Sequence, residues 1–165
     1  MEKELQLVGF RIGRETFGVP IAMVREIVRV PEITAMPNAP EYIEGVINLR
    51  GRIIPIVDLR KRFGEIVEER SKKSRIVVVE VESRAIGLMV NSASEVLRIP
   101  PSEIEEPHNV FKEGELNYVT GVGKLNGRLV ILLDLGKILQ RGELNHLDEV
   151  AESAAVPAGH AERGY

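Results

Sequence analysis

Few side chains in this 165-residue chain are of the kinds that do chemistry. Cysteine is absent, which excludes disulfides, thiolate nucleophiles and cysteine-bound metals. His108, His146 and His160 are the only histidines, and no spacing among them brings two onto one metal ion. They read as surface histidines. Gly121-Val122-Gly123-Lys124 has the outline of a phosphate loop, but a Walker loop needs GxxxxGK followed by Ser or Thr and a helix. Leu125 and a strand follow instead. The glycine loop of protein kinases fails too, because its third glycine falls on Asn126. A β-hairpin accounts for these glycines better. Asp58 and Asp134 could form a carboxylate pair, but acid/base catalysis needs both in one cleft. Each follows a β run and precedes a basic, leucine-bearing stretch, so both are expected to cap helix N-termini. No catalysis, metal or cofactor is expected.

The remaining composition narrows the classes further. Hydrophobic residues make up 44% and charged residues 28%, the balance of a globular protein. Twenty-two basic residues against twenty-five acidic ones give a net charge of −3, the wrong balance for holding phosphate backbones. The longest purely apolar run, Leu129 to Leu133, is far shorter than the ~18–20 residues that span a bilayer. The opening MEKELQLVGF lacks the basic region, apolar stretch and small-residue cleavage site of a secretory signal. The expectation is a cytoplasmic protein without nucleic acid or membrane insertion.

The elements that position these residues come from a duplication. GVPIAMVREIVRVP (18–31) aligns with GLMVNSASEVLRIP (87–100), pairing Gly18 with Gly87, Glu26 with Glu95, Arg29 with Arg98 and Pro31 with Pro100. LVGFRI (7–12) meets IVVVEV (76–81) at the same spacing, 69 residues apart. GVINLRGRIIPIVDL (45–59) aligns with GVGKLNGRLVILLDL (121–135), 76 residues apart. Three matches in one order indicate two similar modules, about 5–68 and 74–141. Short Val/Ile-rich runs punctuated by glycine and proline predict β-strands, about five per module. Asn126-Gly127 predicts a two-residue hairpin turn, with Arg50-Gly51 in the equivalent place. Small closed barrels suit such strands because closure removes exposed edges. Pro55 predicts an edge strand or a bulge. One barrel is free to borrow a strand from the other half, so the boundary near residue 70 need not be spatial. The mixed-charge stretch 60–75 predicts a solvated connector, a C-terminal helix is expected over about 135–153, and 156–165 is expected to be disordered.

Residues present in both modules are assigned to the fold, which leaves the unshared ones for function. In the second block the shared set includes Gly45/Gly121, Leu49/Leu125, Gly51/Gly127, Arg52/Arg128 and Asp58/Asp134, all assigned to turns, cores or caps. The remainder is Ile47, Asn48 and Arg50, where the second module carries Gly123, Lys124 and Asn126. Arg50 therefore stands at a turn position where Asn is the ordinary choice, offering a planar five-donor fork to a partner.

The phrase GVINLRGRIIPIVDLR (45–60) resembles the signature of the CheW family, the adaptors of bacterial chemotaxis. The resemblance extends over LVGFRIGRETFGVPIAMVREI, MPNAPEYIEGV, IVVVEV, IGLMV, SEVLRIP and TGVGKLNGRLVILLDL, about residues 5–153. It implies an all-β fold of two SH3-like five-stranded barrels with short helices and a C-terminal helix, within a single CheW-like domain over 1–155. It implies no catalysis. Family members bridge the cytoplasmic tips of methyl-accepting chemoreceptors to the regulatory domain of the histidine kinase CheA, at membrane-bound receptor arrays. Receptor-binding positions carry over onto Val24, Gly45 and Arg50, with Glu26 adjoining; kinase-binding positions fall on Gly87, Ala93 and Val96. The rivals are a tandem-barrel nucleic-acid-binding protein and a small-ligand sensor. The first needs a basic face interleaved with aromatics, which are only 4% of the chain, and the second needs convergent polar residues in a pocket.

Overall fold

The Val/Ile-rich runs fold as strands because branched side chains pack well on a pleated surface and lose freedom in a helix. In a computed structural model, residues 4–37, 39, 43–62, 72–106 and 118–138 are described. The first half runs β1 (Leu5–Ile12), β2 (Glu15–Pro20), a 3-10 turn (Ile21–Met23), β3 (Val24–Arg29), β4 (Ile43–Leu49), β5 (Arg52–Asp58) and α1 (Leu59–Arg62). The second half runs β6 (Arg75–Val81), β7 (Arg84–Val90), β8 (Ser92–Ile99), a 3-10 turn (Pro101–Glu103), β9 (Ile104–Glu105), β10 (Val119–Leu125), β11 (Arg128–Leu133) and α2 (Leu135–Ile138).

The two sheets do not follow the two halves of the sequence. One has the order β3-β6-β7-β5-β4 and the other β8-β1-β2-β11-β10-β9. Each half therefore lends a whole hairpin to the other half's sheet, rather than the single strand anticipated. The exchange is reciprocal down to the register. Val24 opposite Val79 is matched by Ala93 opposite Phe10, and Ile56 opposite Gly87 by Leu132 opposite Gly18. Both copies also carry bulges at the same places, at Val24/Glu26 and Gly9/Phe10, and at Ile43/Gly45 and Val119/Gly121.

Both sheets are tied across their ends. Beyond β3, Thr34 bridges to Val46 on β4 with two backbone hydrogen bonds of 2.9 Å. At the ends of the six-stranded sheet, β8 and β9 are consecutive in the chain, joined by the turn at Pro101–Glu103. These ties leave little free edge.

The exchanged hairpins are buried on both faces, which explains why their sequences read as continuous apolar runs rather than alternating ones. Ile76 and Met89 face an inner cluster with Ile47, Ile54 and Ile56, while Val77, Val79, Ile86 and Leu88 join the central core. In β1, Leu7 packs with Leu97, Ile99 and Val130, whereas Val8, Phe10 and Ile12 face the centre. Burying such a side chain contributes roughly 1.5–3 kcal/mol, so the shared core holds the halves together.

One further expectation needs adjustment. β5 is not an edge strand, since β4 and β7 flank it. Pro55 is tolerated because the parallel pairing with β7 begins only at Ile56. Asp134 does cap α2, accepting the Lys137 N–H at 3.2 Å. Its counterpart Asp58 is fully buried at the end of β5, immediately before α1. Most of the connector, the part of the expected C-terminal helix beyond Ile138 and the tail lie outside the described residues.

Candidate functional site

The hairpin tip between β4 and β5 carries Arg50 with φ 52° and Gly51 with φ 86°. The duplicated tip has Asn126 at 50° and Gly127 at 81°. These left-handed pairs suit the strand twist of a two-residue hairpin, and among non-glycine residues Asn accepts them most readily. Arg50 occupies that conformation without the local side-chain hydrogen bonds that make it easy for Asn. The turn is fixed instead by Asn48, whose Oδ1 accepts the Gly51 N–H at 2.9 Å.

From this tip the Arg50 guanidinium reaches Glu26 on β3 and pairs with it. The hydrogen bond to Glu26, and then its charge, hold the Arg50 pKa above its ordinary value. The Arg50 side chain remains 69% exposed despite this contact. The bulge in β3 is what aims Glu26. Residues two apart in a regular strand share a face, but here Val24 lies opposite Val79 of the central core and Glu26 opposite Val78. The extra residue, Arg25, pairs with Glu80 on β6.

Together these residues line an open groove of about 420 Å³. Leu49, Ile54 and Val78 give it apolar lining, and Arg52 completes its charged rim. The arrangement can hold a protein segment by apolar contact and by exposed guanidinium groups. It contains no nucleophile and base in contact, and no group of three potential metal ligands occurs among the described residues.

Of the expected receptor-binding positions, the structure brings Glu26 and Arg50 into contact and sets Val24 two residues from Glu26, half-buried against the central core. Gly45 is different in kind. It is buried with φ 147°, and a Cβ there would stand 2.1 Å from the Thr34 carbonyl oxygen. Gly45 therefore presents no surface; it permits the Thr34–Val46 tie.

The expected kinase-binding positions are dispersed. Gly87 is a correction to the division by sequence halves, because β7 belongs to the sheet built around β3, β4 and β5. It is also interior, where a Cβ would meet Ile56 Cδ1 at 2.5 Å and Ile76 Cγ2 at 2.8 Å. Ala93 is half-buried against the central core. Val96 is 55% exposed, and its duplicate Ile27 is 38% exposed. Apolar side chains thus stand open at equivalent points on β3 and β8.

Three charged residues of the groove are not singled out by the sequence. Arg25 and Glu80 carry the same signal as Arg50, since their repeat positions hold Ser94 and Arg11. Arg52 is hidden because Arg128 repeats it, and a shared residue reads as structural.

The nucleic-acid and ligand-sensor alternatives gain no support. Phe10 and Phe17 stack on each other in the core, with centroids 6.2 Å apart, rather than on a binding face. Among the described residues no helix is long and apolar enough to cross a membrane.

Comparison with known proteins agrees with this architecture. The profile of the CheW-like domain matches residues 6–143. The chemotaxis protein CheW of Rhizobium meliloti is 36% identical over 138 residues, covering 84% of this chain and 89% of that protein. That of Helicobacter pylori is 36% identical over 141 residues, covering 85% and 84%. The crystal structure of the scaffolding protein TtCheW from Thermoanaerobacter tengcongensis superposes with a TM-score of 0.77 at 37% identity, covering 87% of this chain and 96% of that one. The duplicated strands, their reciprocal exchange and these matches lead to one conclusion: the chain belongs to the CheW-like domain family.

Proposed function

We propose that the protein is a non-catalytic chemotaxis adaptor that couples the cytoplasmic tips of chemoreceptors to the histidine kinase CheA by binding both. Its CheW relatives and the scaffolding neighbour support the adaptor role. The observation that carries the site is Arg50, held on a left-handed turn where the duplicated hairpin has Asn126. Strained backbone of this kind persists where a function needs it.

Receptor contact is assigned to the groove face, through Arg50, Glu26 and the neighbouring Val24. Gly45 acts on it indirectly, by allowing the barrel to close. Kinase contact is assigned to β8, with Val96 as the apolar anchor and Ala93 beside it, because a few apolar side chains supply most of the energy of such interfaces. Gly87 supports that face only through the packing of β7. Signalling then requires that receptor contacts differ in free energy between two states of the complex. The protein would act in the cytoplasm against receptor arrays.

The test is a pull-down of the full chain against a receptor cytoplasmic fragment and the CheA regulatory domain, with labelled nucleic acid alongside. Capture of both proteins and no nucleic acid is expected. Failure to capture either protein refutes the assignment.

A further inference from the structure

Two of the three arginines at the groove are already neutralised. Arg25 pairs with Glu80 and Arg50 with Glu26, so both carboxylates of the groove are taken. Arg52, exposed at the start of β5, makes no ion pair or side-chain hydrogen bond among the described residues. The groove therefore carries one positive charge in excess, at a defined place.

That place is well shaped for recognition. Arg52 lies across from Leu49 at the hairpin tip and two residues from Ile54, on the same strand face. Both neighbours line the groove with it. A partner that covers these apolar residues must also cover Arg52. Removing a guanidinium from water without an opposite charge is costly, and a carboxylate delivered at that point removes the cost. A polyanion such as nucleic acid is disfavoured by Glu26 and Glu80, which it would have to approach as well.

We propose that the groove beside Arg50 receives an acidic segment of the receptor partner, with Arg52 pairing with a carboxylate that lies next to an apolar residue. The inference rests on the adaptor reading for the partner's identity, but not for its chemistry. Arg52 is then a specificity residue: it selects partners by charge while Leu49 and Ile54 supply apolar contact.

Two measurements on the full chain test this. In the first, Arg52→Glu and Arg52→Lys are titrated with the receptor fragment and the CheA regulatory domain, with thermal unfolding as a control for folding. Arg52→Glu should weaken binding of the receptor fragment by at least about tenfold and leave the regulatory domain within about threefold, while Arg52→Lys stays within about threefold for both. Unchanged binding of the receptor fragment by a folded Arg52→Glu protein overturns the proposal. In the second, amide NMR follows the isotope-labelled protein against the peptide acetyl-Leu-Glu-Leu-Glu-amide and its Leu-Gln-Leu-Gln counterpart. Only the glutamate peptide should shift signals around the groove, and the shifts should vanish in Arg52→Glu. Equal shifts with both peptides, or none with either, overturn the proposal. If the wild type binds neither fragment, the adaptor reading fails while the peptide titration still decides this one.

Discussion

Arg50 and Asn126 stand at the same point of two duplicated hairpin turns, with φ of 52° and 50°, yet only Arg50 extends a charged fork to a neighbouring strand. The backbone is the same in both copies, so the difference between them is chemical. That contrast separates what the hairpin needs from what the adaptor needs.

It also defines the cleanest substitution. Arg50→Asn installs the residue that the duplicated turn already uses, so the hairpin should form as before. The unfolding midpoint is expected to stay within about 2 °C of the wild type or to rise, because exposed substitutions of this kind shift stability little. Receptor binding should fall. A sharp loss of stability, read by circular dichroism, would make Arg50 a structural residue.

Gly45→Ala should act through the fold. The new Cβ would meet a backbone oxygen at 2.1 Å, which no rotamer change relieves. Destabilisation of roughly 2–4 kcal/mol is expected in urea unfolding, with faster hydrogen exchange at the Thr34 and Val46 amides as the tie opens. Retained protection at those amides would contradict the closing role.

Gly87 and Val96 should behave oppositely although both were expected at the kinase face. Gly87→Ala places a methyl group 2.5 Å from Ile56 Cδ1 and should cost about 1–3 kcal/mol by overpacking. Val96→Asp, at an exposed site, should change stability by no more than about 0.5 kcal/mol while weakening kinase binding. A stable Gly87→Ala protein with selectively lost kinase binding would return Gly87 to the interface.

The exchanged hairpins make a prediction about the whole chain. Neither half contains all the strands of either sheet, so a nick introduced between residues 63 and 71 should leave two fragments that stay associated and fold together. Each fragment purified alone should lack a cooperative thermal transition, and mixing should restore one. Independent folding of either fragment would show that the exchange is dispensable.

Much of this architecture was legible in the sequence. Gly18 with Gly87, Glu26 with Glu95 and the two Asp positions reveal the duplication, and the Arg50/Asn126 mismatch points to the candidate groove. The exchange of whole hairpins was not, because strand pairing between residues as distant as Val24 and Val79 leaves no local pattern. The nearest trace was the continuous apolar character of 76–79, which signals burial on both faces without naming the partner strand. Gly45 and Gly87 stand among the expected contact positions because the family resemblance carries residue types over, and a glycine in a sequence does not show what approaches it. Arg52 was masked by its own repeat at Arg128, since duplication preserves residues for reasons of chemistry as well as fold.

The central claim is that this chain joins two partners through separate faces, and one sedimentation experiment addresses it directly. Vesicles displaying a receptor cytoplasmic fragment are mixed with the isolated CheA regulatory domain, with and without this protein, and then pelleted. The account predicts that the kinase domain pellets only when the protein is present. Arg50→Asn should leave both soluble, while Val96→Asp should pellet alone. Kinase pelleting that is indifferent to the protein, or a protein that binds one partner only after displacing the other, would contradict the account.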